Sequence, residues 1–143
     1  MEEKEAADGP RGTVLVVDDN DDFRRLLKLW LEQHGCRVVE AANGRVAVEA
    51  ARRERPDLVL MDLHLPKMDG FAAARRIREL AGLGDDVPIL AVSADDRLGV
   101  EARQPTSEDH DVGFTDFVPK PFSPRQLGDI LDHYLPAHKG DSQ

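Results

Sequence analysis

Apolar positions along the chain follow two rhythms that alternate from one end to the other. Thr13-Val14-Leu15-Val16-Val17 is a short, unbroken apolar run, and Leu58-Val59-Leu60-Met61 and Ile89-Leu90-Ala91-Val92 are two more. Runs of this length suit strands buried on both faces. Arg37 to Glu40 reads as a further short strand, and Phe117-Val118 as a fifth. Between them the apolar spacing changes to three and four. Phe23, Leu26, Leu27, Trp30 and Leu31 make one helix face, with Asn20 as cap and Gly35 as stop. Asn43 caps a second helix with an inner stripe of Val46, Ala47, Ala50 and Ala51, ended by Pro56. Phe71, Ala74, Ile77 and Leu80 form the stripe of a third. Ser123-Pro124-Arg125-Gln126 opens the last helix with an N-cap, a first-turn proline and a capping-box glutamine. Its inner face is Leu127, Ile130, Leu131, Tyr134 and Leu135. The polar stretch 94–115 carries Pro105 and has no clean stripe.

Strands that alternate with helices call for a parallel sheet covered on both faces. With 143 residues the chain holds one ordinary domain. Residues 1–12 read as a disordered leader, 13–136 as the domain and 137–143 as a flexible tail. Cys36 is the one cysteine, which excludes an intrachain disulfide and suits packing in a reducing compartment. His34, His110, His133 and His138 show no ligand spacing and read as surface residues. No apolar run approaches a membrane span, and the charged N-terminus is no secretory signal, so a cytoplasmic protein is expected. The net charge of −9 argues against direct nucleic-acid binding.

In open sheets of this kind ligands sit beyond the C-terminal strand ends. There the first strand ends in Asp18-Asp19, the third in Asp62 and the fourth in Ser93, while the last runs into Lys120. Each has a bland reading by itself: helix caps, a turn residue, a loop hydroxyl, a solvated charge. Together they put three carboxylates, a hydroxyl and an ammonium on one rim. Clustered carboxylates repel, and a hard cation such as Mg²⁺ relieves them through oxygen ligands. A carboxylate is also a nucleophile able to form an acyl phosphate. Lys120 and Ser93 would then serve the phosphoryl oxygens.

With these residues assembled, the chain resembles the response-regulator receiver family of two-component signalling. The match runs through Val16-Val17-Asp18-Asp19-Asn20, Leu60-Met61-Asp62 with Pro66, Met68, Asp69 and Gly70, Val92-Ser93-Ala94, and Phe117 through Lys120-Pro121-Phe122. The resemblance implies a doubly wound α/β fold, flavodoxin- or CheY-like, whose five parallel strands lie in the order 2-1-3-4-5. It implies that Asp62 accepts a phosphoryl group from a histidine kinase or a histidine phosphotransfer protein. Mg²⁺ would be held by Asp18, Asp19, Asp62 and the backbone carbonyl of His64. Ser93, Ala94, Phe117 and Lys120 would bind the phosphoryl group and form the switch, with a cis bond before Pro121. The side chains of His64 and Asp95 would tune the lifetime of the phosphorylated form.

The family's Ala-Gly-Ala approach to the last strand is replaced by Asp111-Val112-Gly113-Phe114-Thr115-Asp116, and the span from Ser93 to Lys120 is a few residues longer than usual. This segment includes the face that receivers use to signal or dimerise, leaving room for a weak homodimer. No output domain follows the last helix, so a downstream protein target is expected. The chemistry expected is assistance with its own phosphorylation and hydrolysis rather than turnover as an enzyme. Two alternatives remain: a receiver cut from a hybrid histidine kinase, and a haloacid-dehalogenase-type phosphohydrolase. The second would need an Asp two residues beyond the nucleophile, where His64 stands.

Overall fold

The computed structural model describes residues 12–62, 70–80, 87–93, 114–119 and 123–135. Five strands form one sheet: β1 (Thr13–Val17), β2 (Arg37–Ala41), β3 (Leu58–Asp62), β4 (Ile89–Ser93) and β5 (Asp116–Pro119). All neighbours are parallel, in the order β2-β1-β3-β4-β5. Four helices are described: α1 (Asp21–Gln33), α2 (Gly44–Glu54), α3 (Gly70–Arg78) and α4 (Pro124–Tyr134). The segment 94–113 between β4 and β5 lies outside the described residues.

Side chains alternate across a strand, and here the alternation sorts two cores. Leu15, Val17, Val59, Met61 and Ile89 meet the small residues Ala47, Ala50 and Ala51 of α2 and Ala73, Ala74 and Ile77 of α3. Val14, Val16, Leu58, Leu60, Leu90 and Val92 meet Leu27 and Leu31 of α1 and Leu127 and Leu131 of α4. Both faces of the central strands are therefore dry, which is why they read as unbroken apolar runs.

The helix ends follow the sequence closely. The Asn20 and Asn43 side chains accept hydrogen bonds from the Phe23 and Val46 amides. Ser123 and Gln126 complete a reciprocal capping box. After α1, the Cys36 amide donates to the Leu31 carbonyl and the Gly35 amide to that of Glu32, with Gly35 at φ 87°. That is a Schellman closure, and it needs the left-handed conformation glycine supplies. α2 ends instead on Arg55, left-handed at φ 52°, just before Pro56.

Three local expectations are revised. Leu26 and Val46 are exposed, and Ala73 takes an inward place on α3. At about 100° per residue, the true stripe of α1 centres on Leu27 and Leu31, and Leu26 falls at its edge. His34 is half-buried rather than a surface residue. Its Nδ1 lies 2.9 Å from the Trp30 carbonyl, and a Cβ on Gly128 would meet its Nε2 at 3.1 Å. Gly128 thus lets α4 close over the imidazole.

Tyr134, the one tyrosine, is the last residue of α4. Its phenol is held above the ordinary tyrosine value by burial, then by the charge of Asp116 and a long 3.4 Å hydrogen bond to it. The fold therefore favours the protonated phenol. That contribution is complete below the ordinary value, near pH 10, and is lost as pH rises through the folded one. Absorbance titration should show a later phenolate midpoint in folded than in urea-unfolded protein, with Asp116→Asn closing part of the gap.

Candidate functional site

Parallel register decides which strand ends meet. Val17 pairs with both Ala41 and Met61, so Asp18 and Asp62 leave adjacent strands at the same level and with the same parity. Asp62 in turn pairs with Val92, one residue before Ser93, and Ser93 pairs with Pro119, one residue before Lys120. The rim thus runs continuously from β1 through β3 and β4 to β5.

On this rim, carboxylate oxygens of Asp18, Asp19 and Asp62 lie within 4.8 Å of one another, the one such acidic group among the described residues. Asp18 is 2 % exposed and Asp62 6 %, while Asp19 faces solvent. Two buried carboxylates beside an open one suit a hard divalent cation, which takes oxygen ligands and keeps water on its open side. The donor set fits Mg²⁺: it is all oxygen, compact and negatively charged.

The turn that presents the acids is tightly bonded. The Asp18 amide donates to the Ala41 carbonyl at 3.1 Å, and the Asn20 amide donates to Asp18 Oδ1 at 2.9 Å. Arg24 adds a third restraint, with its Nη1 donating to the Asp18 carbonyl at 2.7 Å. The same guanidinium donates to Glu40 Oε1 at 2.9 Å and Asp21 Oδ1 at 2.7 Å. Burial works to lower its pKa, but the bonds to Glu40 and Asp21, with their charges, outweigh it and hold Arg24 above its ordinary value. Arg24 and Glu40 escaped the sequence reading. The acid-to-base spacing of three from Asp21 to Arg24 was the one signal available.

Phe117 lies on β5, half-buried, its ring 5.9 Å from that of Phe114 and tilted by 55°. Ser93 closes β4. His64, Ala94, Asp95, Lys120 and Pro121 lie outside the described residues.

The family model for the response regulator receiver domain matches residues 14–132. The chain belongs to that family. This receiver is 44 % identical over 112 residues to a protein-glutamate methylesterase/protein-glutamine glutaminase of Alkalilimnicola ehrlichii, covering 77 % of this chain and 27 % of that one. It is 39 % identical over 114 residues to the transcriptional regulatory protein SrrA of Staphylococcus aureus, covering 80 % of this chain and 44 % of SrrA. The receiver thus spans less than half the length of either relative. Among solved structures, the receiver domain of a sensor histidine kinase from Pseudomonas aeruginosa superposes with a TM-score of 0.76 at 33 % identity, over 88 % of this chain and 98 % of that one. That crystal structure holds a magnesium ion coordinated in its active-site cleft. Chemotaxis protein CheY4 of Vibrio cholerae superposes with a TM-score of 0.72 at 28 % identity, over 86 % and 98 % of the two chains. The receiver is a two-component signalling domain, and no described helix is long and apolar enough to cross a membrane.

Proposed function

We propose that this receiver is a phospho-acceptor switch in which Asp62 carries the phosphoryl group. The observation that carries the proposal is the meeting of Asp18, Asp19 and Asp62 at one strand-end rim. An Asp62 carboxylate oxygen attacks the phosphorus of a phosphohistidine on a histidine kinase or phosphotransfer protein. The phosphorus–nitrogen bond breaks, and its electron pair leaves with the imidazole, which takes up a proton. The new phosphorus–oxygen bond makes a mixed anhydride, and later attack by water returns the Asp62 carboxylate and free phosphate.

Asp18, Asp19, Asp62 and the His64 carbonyl would hold Mg²⁺, which when bound neutralises charge on the phosphoryl oxygens. Ser93, the Ala94 amide and Lys120 would receive those oxygens, and Phe117 would turn as Ser93 moves. His64 and Asp95 would set the lifetime. Nothing in this scheme calls for turnover of an external substrate. The signal passes to a downstream protein or to a further part of a longer polypeptide, since the curated relatives extend well beyond the matched region.

Acetyl phosphate with Mg²⁺, read by intact mass, tests the proposal. Wild type should gain one phosphoryl adduct, and chelation or Asp62→Asn should remove it. No adduct on wild type, or an equal one on Asp62→Asn, sinks the reading.

A further inference from the structure

We infer that Arg24 is a positioning residue for the cation centre, acting through the backbone of Asp18. The inference rests on the proposed metal role of the acidic rim. Its basis is a closed ring of bonds. The Asp18 amide donates to Ala41, the next residue back on β2 is Glu40, Glu40 accepts from Arg24, and Arg24 donates to the Asp18 carbonyl. The ring ties the β1–α1 turn to β2 at both the amide and the carbonyl of one acidic residue. Asp21 takes the remaining arm of the fork and ties it to the first turn of α1.

Only a guanidinium can fill this role. Three acceptors on three segments are met by Nε, Nη1 and Nη2 in one plane, a geometry that a lysine ammonium on a flexible stem does not reproduce. The Arg24 side chain is 12 % exposed and its bonds to Glu40 and the Asp18 carbonyl are part-buried, so those two are not the freely solvated kind that contributes little, whereas the Asp21 arm is open to solvent. Lys28 also approaches Glu40, at 3.6 Å. It can balance that charge, but no bond from it to Asp18 closes the ring.

The sign of the effect separates positioning from simple charge. Arg24 is a cation beside a cation site, so its charge alone opposes metal binding. If charge were its whole influence, Arg24→Ala would bind metal more tightly. If it positions Asp18, the same change weakens binding, because the turn that carries the carboxylate then loses the restraint on its carbonyl and keeps only those at its amide and at Oδ1. Partners that orient metal ligands typically change affinity by about tenfold or more when removed.

The experiment measures free Mn²⁺ by electron paramagnetic resonance in titrations of the full chain, with Mg²⁺ as competitor. Arg24→Ala and Arg24→Lys should both weaken binding by about tenfold. Glu40→Gln, which keeps an acceptor for Nε, should weaken it less. Urea unfolding in chelator runs alongside. Wild-type affinity in Arg24→Lys, or tighter binding by Arg24→Ala, overturns the inference. So does a loss of stability with affinity unchanged, since a merely structural ion pair would do that. If Arg24→Ala fails to fold, Arg24→Lys and Glu40→Gln still decide the matter. An Asp19→Asn control separates the two layers. If it binds like wild type, the metal reading fails; if it loses binding while the Arg24 variants keep it, only the inference fails.

Discussion

In chelator, Asp62→Asn should unfold at a higher temperature than the wild-type receiver, and Mg²⁺ should reverse the order. Without metal, three carboxylates share a rim with oxygens within 4.8 Å, and two of the three are buried. Unit charges about 4 Å apart near a protein surface interact by roughly 4 kcal/mol. Asp19 is open to water and counter-ions, so the net relief on neutralising Asp62 should be about 1–2 kcal/mol. For a domain of this size that is a rise of about 3–6 °C. Saturating metal stabilises only the protein that binds it, by about 2.7 kcal/mol at a hundred times the dissociation constant. Wild type should gain most of this and Asp62→Asn little, which makes the curves cross. Scanning calorimetry with and without Mg²⁺ checks both halves. An Asp62→Asn variant that melts below wild type in chelator would show that the rim stores no repulsion.

A second large effect is expected two residues back along the same strand. Leu60 is 2 % exposed and belongs to the core beneath α1 and α4, with Leu27, Leu31, Leu127 and Leu131. Leu60→Ala removes buried methyl groups and leaves a cavity, at a cost of about 3–4 kcal/mol. The urea midpoint should fall accordingly with little change in the slope. Leu29→Ala on the outer face of α1 is the matched control. Leu29 is 57 % exposed, so its loss should stay within about 0.5 kcal/mol. Equal losses from the two variants would contradict the assignment of β3 as the doubly covered centre of the sheet.

The strands, the caps and the acidic residues of the rim were legible in the chain because each is written in local spacing. An apolar run of four or five reports a strand with two covered faces, as β1, β3 and β4 have. Asn20, Asn43 and Ser123 act on amides three residues away, so they need no knowledge of the fold. The rule that sites form beyond parallel strand ends then pointed to Asp18, Asp19 and Asp62 together. Local spacing was less reliable at the edges of stripes. It counted Leu26 and Val46 inward, because a repeat of three and four does not say how wide the buried sector is.

What the sequence determined by itself is the order of elements, their ends, and the identity of the acids that gather at the rim. Those properties follow from contacts within a few residues and from the parity of side chains along a strand. Only the tertiary structure decided that Asp18 and Asp62 stand level on neighbouring strands, that Gly128 of α4 closes over His34 at the C-terminal end of α1, and that Arg24 reaches across to Glu40 and back to Asp18. Each of these joins groups on different elements, and the distance between such groups is set by sheet register and helix packing. Nothing in the spacing along a single helix or strand carries that information.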